Sequence, residues 1–177
     1  MTANPPSAPV EVTRLSRYSK TEQDEILGAG PDPFGVAGTG LTWLPKEEHF
    51  GIRRDGRLVA HAGLLPLPLS IGGTPTQVVG LGGVAVAPDQ RGQGLARHVV
   101  AAALEHARTL GPRYALLFCR PPLIALYQRL GWHTVDSPVE VEQPSGPVEM
   151  PLATLWAPLH PGAPWPPGPV RLHSLPM

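Results

Sequence analysis

One cysteine, Cys119, stands in a chain of 177 residues. It excludes an internal disulfide and any zinc site built from several cysteines, and it fits a reducing compartment. Charge is scarce and balanced, with 14 basic and 14 acidic side chains and a formal net charge of zero. The basic residues are scattered, so the sequence carries the electrostatic footprint of neither a nucleic-acid binder nor a protein held on an anionic membrane. No apolar run reaches the roughly 18 residues of a spanning helix, and no basic segment followed by an apolar one opens the chain. We therefore expect a soluble, cytoplasmic protein with a small-molecule partner, no nucleic acid, no membrane and no metal; a homodimer is left open.

What is abundant is proline and glycine, 24 and 20 residues, about a quarter of the chain. Without patterning that level would point to disorder, but periodic segments lie between them. The length suits one domain with a real core. Residues 1–9 are small, polar and proline-rich and are expected to be poorly ordered, 10–159 to form the domain, and 160–177 to be a proline-rich tail. Trp165, Val170, Leu172 and Leu175 give that tail apolar anchors, so it is expected to dock on the sheet.

Along the chain, Val10 to Leu15 alternates as a first strand would, and Thr21 followed by acidic residues offers a helix start. Gly28 to Pro45 reads as a mobile loop. Asp55-Gly56 between two extended runs marks a hairpin, and Gly72-Gly73 marks a second, giving an antiparallel meander that ends at Val86. A helix follows over Arg97 to Leu110, with Leu95, Val99, Ala102, Ala103, His106 and Leu110 on one face and Gly111-Pro112 as its stop. His106 has no second ligand at metal spacing and is read as a packed or half-exposed side chain. The apolar run Tyr114 to Cys119 predicts a covered strand parallel to the one before the helix. Pro121-Pro122 opens a short helix with the stripe Leu123, Leu126, Tyr127 and Leu130, capped at Gly131. Val139 to Val141 and Leu152 to Leu159 read as two last strands. The fold class is α/β, with a mixed, mostly antiparallel sheet flanked by helices.

The most informative stretch is Gly80 to Ala96, where a strand closed by Pro88-Asp89 passes through Arg91-Gly92-Gln93-Gly94 into a helix. Gly92 and Gly94 lack a Cβ, so the turn can present backbone N–H groups closely to a ligand, and the helix start favours an anion such as phosphate. No Gly-x-Gly-x-x-Gly with a following acidic residue and no Gly-Lys-Ser/Thr is present, which excludes the dinucleotide and P-loop fingerprints.

Arg91-x-x-Gly94-x-Ala96 after Val-x-Val-x-Pro, together with Leu126-Tyr127-x-x-x-Gly131-Trp132, resembles the GCN5-related N-acetyltransferase (GNAT) family. The resemblance runs from about Phe50 to Leu159. It implies a sheet splayed into a V-shaped slot for acetyl-CoA, strand contacts from Val84, Ala85 and Val86, and loop contacts from Arg91, Gly92, Gln93, Gly94, Leu95 and Ala96. It also implies that Tyr127 points at the sulfur of the acyl carrier and protonates or hydrogen-bonds the departing thiolate. More narrowly, Ala60-His61-Ala62, Gly83-Val84-Ala85-Val86 and Pro144-Ser145-Gly146-Pro147 are similar to the aminoglycoside 2'-N-acetyltransferase branch. That branch has a glutamate where this chain has Gly82. The resemblance implies an acetyl-CoA-dependent N-acetyltransferase acting on a small-molecule amine by direct transfer, with a binding module lacking turnover or a longer acyl group as alternatives. The base stays open among Glu140, Glu142, Asp136, His133 and the terminal carboxylate, and Cys119 reads as an inert packed residue.

Overall fold

Two tight turns lay down the centre of the sheet. In the computed structural model, which describes residues 9–28, 32 and 34–177, Asp55 and Gly56 both take positive φ (52° and 77°), as do Gly72 and Gly73 (56° and 82°). That backbone hand matches the twist of the flanking strands, and the two turns join β2 (Glu48–Arg54), β3 (Arg57–Ile71) and β4 (Thr74–Val86) into the expected meander. The expectation for residues 1–8 lies outside the described residues. Before the meander come β1 (Thr13–Leu15) and α1 (Lys20–Leu27). After it come α2 (Leu95–Ala107), β5 (Tyr114–Cys119), α3 (Ile124–Arg129), β6 (His133–Thr134), β7 (Val139–Val141), β8 (Val148–Glu149), β9 (Ala153–Pro158) and β10 (Val170–Leu172).

The strands run β6-β9-β5-β4-β3-β10-β7-β8, with β2 on the remaining part of β3 and β1 on β2. Among the described residues, only β4 with β5 and β7 with β10 are parallel. One edge of the long β3 takes β4, and its other edge is shared between β2 and β10. The tail after residue 160 therefore contributes a strand inside the sheet, paired to β3 on one side and β7 on the other. Trp165 packs on Trp156 and Tyr114, and the Tyr114 hydroxyl donates to the Pro164 carbonyl at 2.6 Å.

Alternation splits the side chains of the sheet between two faces. Ala60, Ala62, Leu64, Val79, Leu81, Ala115 and Leu117 pack with Val99 and Ala103 of α2. Leu65, Leu67, Val78, Tyr114 and Leu116 lie on the opposite face with Val139, Val141, Met177 and partly buried Trp43.

Several local expectations change. The first strand is only Thr13–Leu15. The N-cap of α1 is Ser19, not Thr21: Ser19 and Glu22 close a reciprocal capping box, which satisfies two backbone donors at once. On α2 the buried face is Leu95, Val99, Val100, Ala103 and Ala107, while Ala102 is half-buried. The helix ends at Ala107, so Leu110 falls beyond it and is exposed. Leu123 is exposed too, because Pro121–Leu123 forms a separate 3-10 turn before α3. The region after Trp132 holds β6, β8 and β10 besides the two expected strands. These short strands offer too few residues for alternation to be read.

Candidate active site

The sheet opens at one place. β4 and β5 pair only through Val79 with Ala115 and Gly80 with Leu116. Beyond that point β5 stays bonded to β9 through Leu117, Phe118 and Cys119, and β4 stays bonded to β3. The facing edges of Leu81–Val86 and Leu117–Cys119 are left without each other as partners, which is the V-shaped slot. A cavity of about 290 Å³ occupies it. Leu81, Leu117 and Tyr127 line it from the α2 side, and Trp43, Phe118, Leu152 and Met177 from the opposite side. The cavity thus passes through the sheet from one face to the other.

On β4 the register with β3 slips between His61 and Gly63, so that Gly83 and Val84 form a bulge. Gly83 has φ +61°, and its carbonyl accepts from His61 Nδ1 at 2.7 Å. Because that oxygen can only accept, His61 Nδ1 carries the proton, and Nε2 accepts from His49 Nδ1 at 2.9 Å. Tyr18 stacks on His61 with ring centroids 3.7 Å apart. Burial pulls the His61 pKa down to about 4, so the ring is neutral at pH 7. A trans peptide sets C=O and N–H in opposite directions. Holding the Gly83 carbonyl against His61 therefore turns the Val84 N–H away from the histidine pair.

At the end of β4, residues Pro88–Gln90 form a 3-10 turn and Gly94 caps α2 in the left-handed region, φ +75°, with no side-chain cap. The first N–H groups of α2 have no side-chain cap. Leu95 is buried in the core, so only its backbone can contribute. The loop is braced from below: Arg54 donates to Gln90 at 2.6 Å and to Gln93, and Arg57 pairs with Asp89 at 2.5 Å. Arg91 Nε donates to the Val86 carbonyl at 3.3 Å. Val84 and Val86 are half-buried and Ala85 is buried.

Tyr127 lies at the inner end of α3, 7 % exposed, its ring edge-on to Trp132 at 6.2 Å. Burial and the neighbouring Cys119 push its phenol above the usual tyrosine range. Among the described residues its hydroxyl makes no hydrogen bond to a protein group, unlike a core tyrosine tied to a carbonyl. Cys119 also lines the cavity, and burial raises its thiol to about 11, which suppresses the nucleophilic thiolate.

Residues 41–135, more than half of the chain, match the acetyltransferase (GNAT) domain family. The chain belongs to the GNAT acetyltransferases. No curated protein matches. Among solved structures, the GNAT N-acetyltransferase YhbS from Escherichia coli, in complex with CoA, is 20% identical over 97% of this chain and 93% of its own, with a TM-score of 0.64. A GNAT acetyltransferase from Brucella melitensis in complex with acetyl-CoA is 18% identical over 90% and 94%, TM-score 0.52. The N-acetylglutamate synthase from Neisseria gonorrhoeae, complexed with coenzyme A and N-acetyl-glutamate, is 15% identical over 86% of this chain but 36% of its own, TM-score 0.57. At these identities the likeness is one of fold.

Of the candidate bases in this GNAT enzyme, Glu140, Glu142, Asp136 and His133 do not line the cavity, whereas Met177, which carries the terminal carboxylate, does, with its main-chain oxygen 3.6 Å from where a Cβ at Gly82 would stand. Glu140 and Glu142 sit 3.5 and 3.2 Å from Arg171. Asp136 accepts from Thr134 at 3.3 Å, and His133 packs on Trp156. His106 lies 2.5 Å from Glu48, outside the slot. Sequence reasoning missed Phe34, Trp43 and Lys46, and considered Met177 only through its terminal carboxylate; all four line the cavity. Lys46 is one of only two lysines in the chain; that rarity and the nearby glycine run were the only signals pointing to it. No helix among the described residues is long and apolar enough to cross a membrane.

Proposed function

We propose that this chain transfers an acetyl group from acetyl-CoA directly to the amine of a small molecule. The observation that carries the reading is the cavity running through the sheet at the splay, with a free β4 edge and Tyr127 on its wall. In this reading the pantetheine pairs with the edge at Val84, Ala85 and Val86. The pyrophosphate rests on the N–H groups of Arg91, Gly92, Gln93, Gly94, Leu95 and Ala96, where unpaired donors and the helix dipole favour negative charge. The acetyl carbonyl then reaches the bulge, where the Val84 N–H stabilises the oxyanion as it forms. A neutral amine attacks the carbonyl carbon; the C–N bond forms, the C–S bond breaks, and the thiolate takes a proton from the Tyr127 hydroxyl. The nitrogen sheds its extra proton to water or a residue at the opposite mouth.

The finer likeness to the aminoglycoside 2'-N-acetyltransferases draws no support from the wall of the cavity. Lys46 and Arg120 line it, no acidic side chain does so among the described residues, and a polycation needs carboxylates. Acceptor-dependent release of free CoA thiol from acetyl-CoA, over a panel of amines, tests the reading. Release with any amine above the hydrolysis background is expected; acetyl-CoA binding with no release from any acceptor would make the chain a binding module.

A further inference from the structure

Opposite Tyr127, the cavity wall is built around a lysine. Gly63 of β3 and Gly82 of β4 are direct cross-strand partners, and neither has room for a side chain. A Cβ at Gly63 would lie 2.6 Å from Lys46 Cγ, and one at Gly82 would lie 2.6 Å from Lys46 Cε and 3.2 Å from Nζ. The two glycines thus form a trough that seats the lysine stem and delivers its ammonium to the cavity at the Gly82–Gly83 step. Among the described residues, neither a carboxylate side chain nor the terminal carboxylate of Met177, whose main-chain oxygen also lies beside Gly82, is within ion-pair distance of Lys46 or of Arg120, the second cation lining the cavity. Leaving a half-buried ammonium without a counter-charge is costly. The remaining wall is apolar and aromatic, with Phe34, Trp43 and Phe118.

Resting on the acetyltransfer reading, we propose that the acceptor is an amine that also carries a carboxylate, bound by Lys46, on an apolar or aromatic body held by Trp43 and Phe118. The acid group supplies the missing counter-charge, and the cavity of about 290 Å³, shared with the acetyl end of the donor, limits the acceptor to a small molecule. Burial lowers the Lys46 pKa in the empty site. An arriving carboxylate raises it again, so binding of the acid takes up a proton from buffer wherever the empty lysine is partly neutral.

The probes are N-acetylphenylalanine and N-acetylphenylalaninamide, which differ in the acid alone, titrated calorimetrically into the CoA-loaded protein. Turnover of phenylalanine and phenylalaninamide is followed alongside. The acid is expected to bind at least about tenfold more tightly than the amide, the strength of one buried charge-assisted contact. Lys46→Met should erase that preference while leaving acetyl-CoA affinity unchanged, and Lys46→Arg should keep part of it. Lys46→Gln is the second variant should Lys46→Met fail to fold. Equal or better binding of the amide, failure of the acid to bind, or a preference that survives Lys46→Met would overturn the proposal. So would equal slowing of acid and amide acceptors by Lys46→Met, which marks a proton acceptor instead. Turnover of amines without an acid group at rates equal to or above those of their acid counterparts would sink this inference and leave the acetyltransfer reading standing; failure of the unmodified chain to bind acetyl-CoA would remove both.

Discussion

The two mouths of the cavity are built in different ways. On the α2 side the working parts are backbone: the free edge of β4, the Gly83–Val84 bulge and the open first turn of α2, all within Leu81 to Ala96. On the opposite side they are side chains from separate stretches, Phe34, Trp43 and Lys46 before the meander, Leu152 beside β9, and Met177 after β10. A backbone-built site tolerates change in any side chain that does not intrude. A side-chain-built site can be altered one residue at a time, which suits a common acyl donor on one side and a variable acceptor on the other.

The comparison breaks most sharply at Gly94. Gly94→Glu puts bulk and negative charge where the N–H groups are free, at a backbone φ of +75°. Acetyl-CoA affinity measured by calorimetry should fall by about a hundredfold or more in a variant that retains its circular dichroism spectrum. An unchanged affinity would remove the phosphate cradle. Next comes Tyr127→Phe, expected to lower kcat by at least about tenfold with acetyl-CoA affinity nearly intact. Equal rates, or a loss of stability with no rate defect, would return Tyr127 to the core.

Gly82→Ala sharpens the contrast from the other side. Its Cβ would press on Lys46 Cε, so the flexible end of the lysine must shift and its ammonium moves from its place in the cavity. The KM for the acceptor should rise about fivefold to tenfold, the size of a displaced charged contact, with the acetyl-CoA affinity unmoved; a change confined to acetyl-CoA would contradict the division of the cavity. The smallest effect is on stability. His61 is neutral in the fold down to a pKa of about 4, against an ordinary value of 6.5. Between those values the unfolded chain binds a proton that the native chain does not. Stability therefore falls as pH drops below 6.5, by roughly 1 kcal/mol per pH unit, and this contribution is flat above it. Urea titrations at pH 6.5 and 5.5 should show part of that slope disappear in His61→Gln; an unchanged slope would mean another group titrates.

The same division decides what could be read in advance. The meander, the glycine loop and the Tyr127 helix were legible because each is written in neighbouring residues: Asp55-Gly56 and Gly72-Gly73 for turns, Arg91 to Ala96 for the loop, Leu126-Tyr127 for the helix. The wall proposed for the acceptor was not, because Lys46 lies outside the meander and reaches the cavity only by crossing the Gly63–Gly82 pair, a contact that no local pattern around residue 46 marks. The tail misled by composition. Its prolines suggested a linker, yet the three residues Val170–Leu172 are enough to fill the gap between β3 and β7.

Amide hydrogen exchange with and without CoA tests the central claim most directly, since it reads the backbone along the whole chain. Slowed exchange at residues 81–86 and 92–97, with little change at 41–46 and 170–177, is the result the through-sheet cavity and its backbone-built mouth require. Protection centred on 41–46 and 170–177, with 92–97 unchanged, would place the cofactor on the other face and contradict the account.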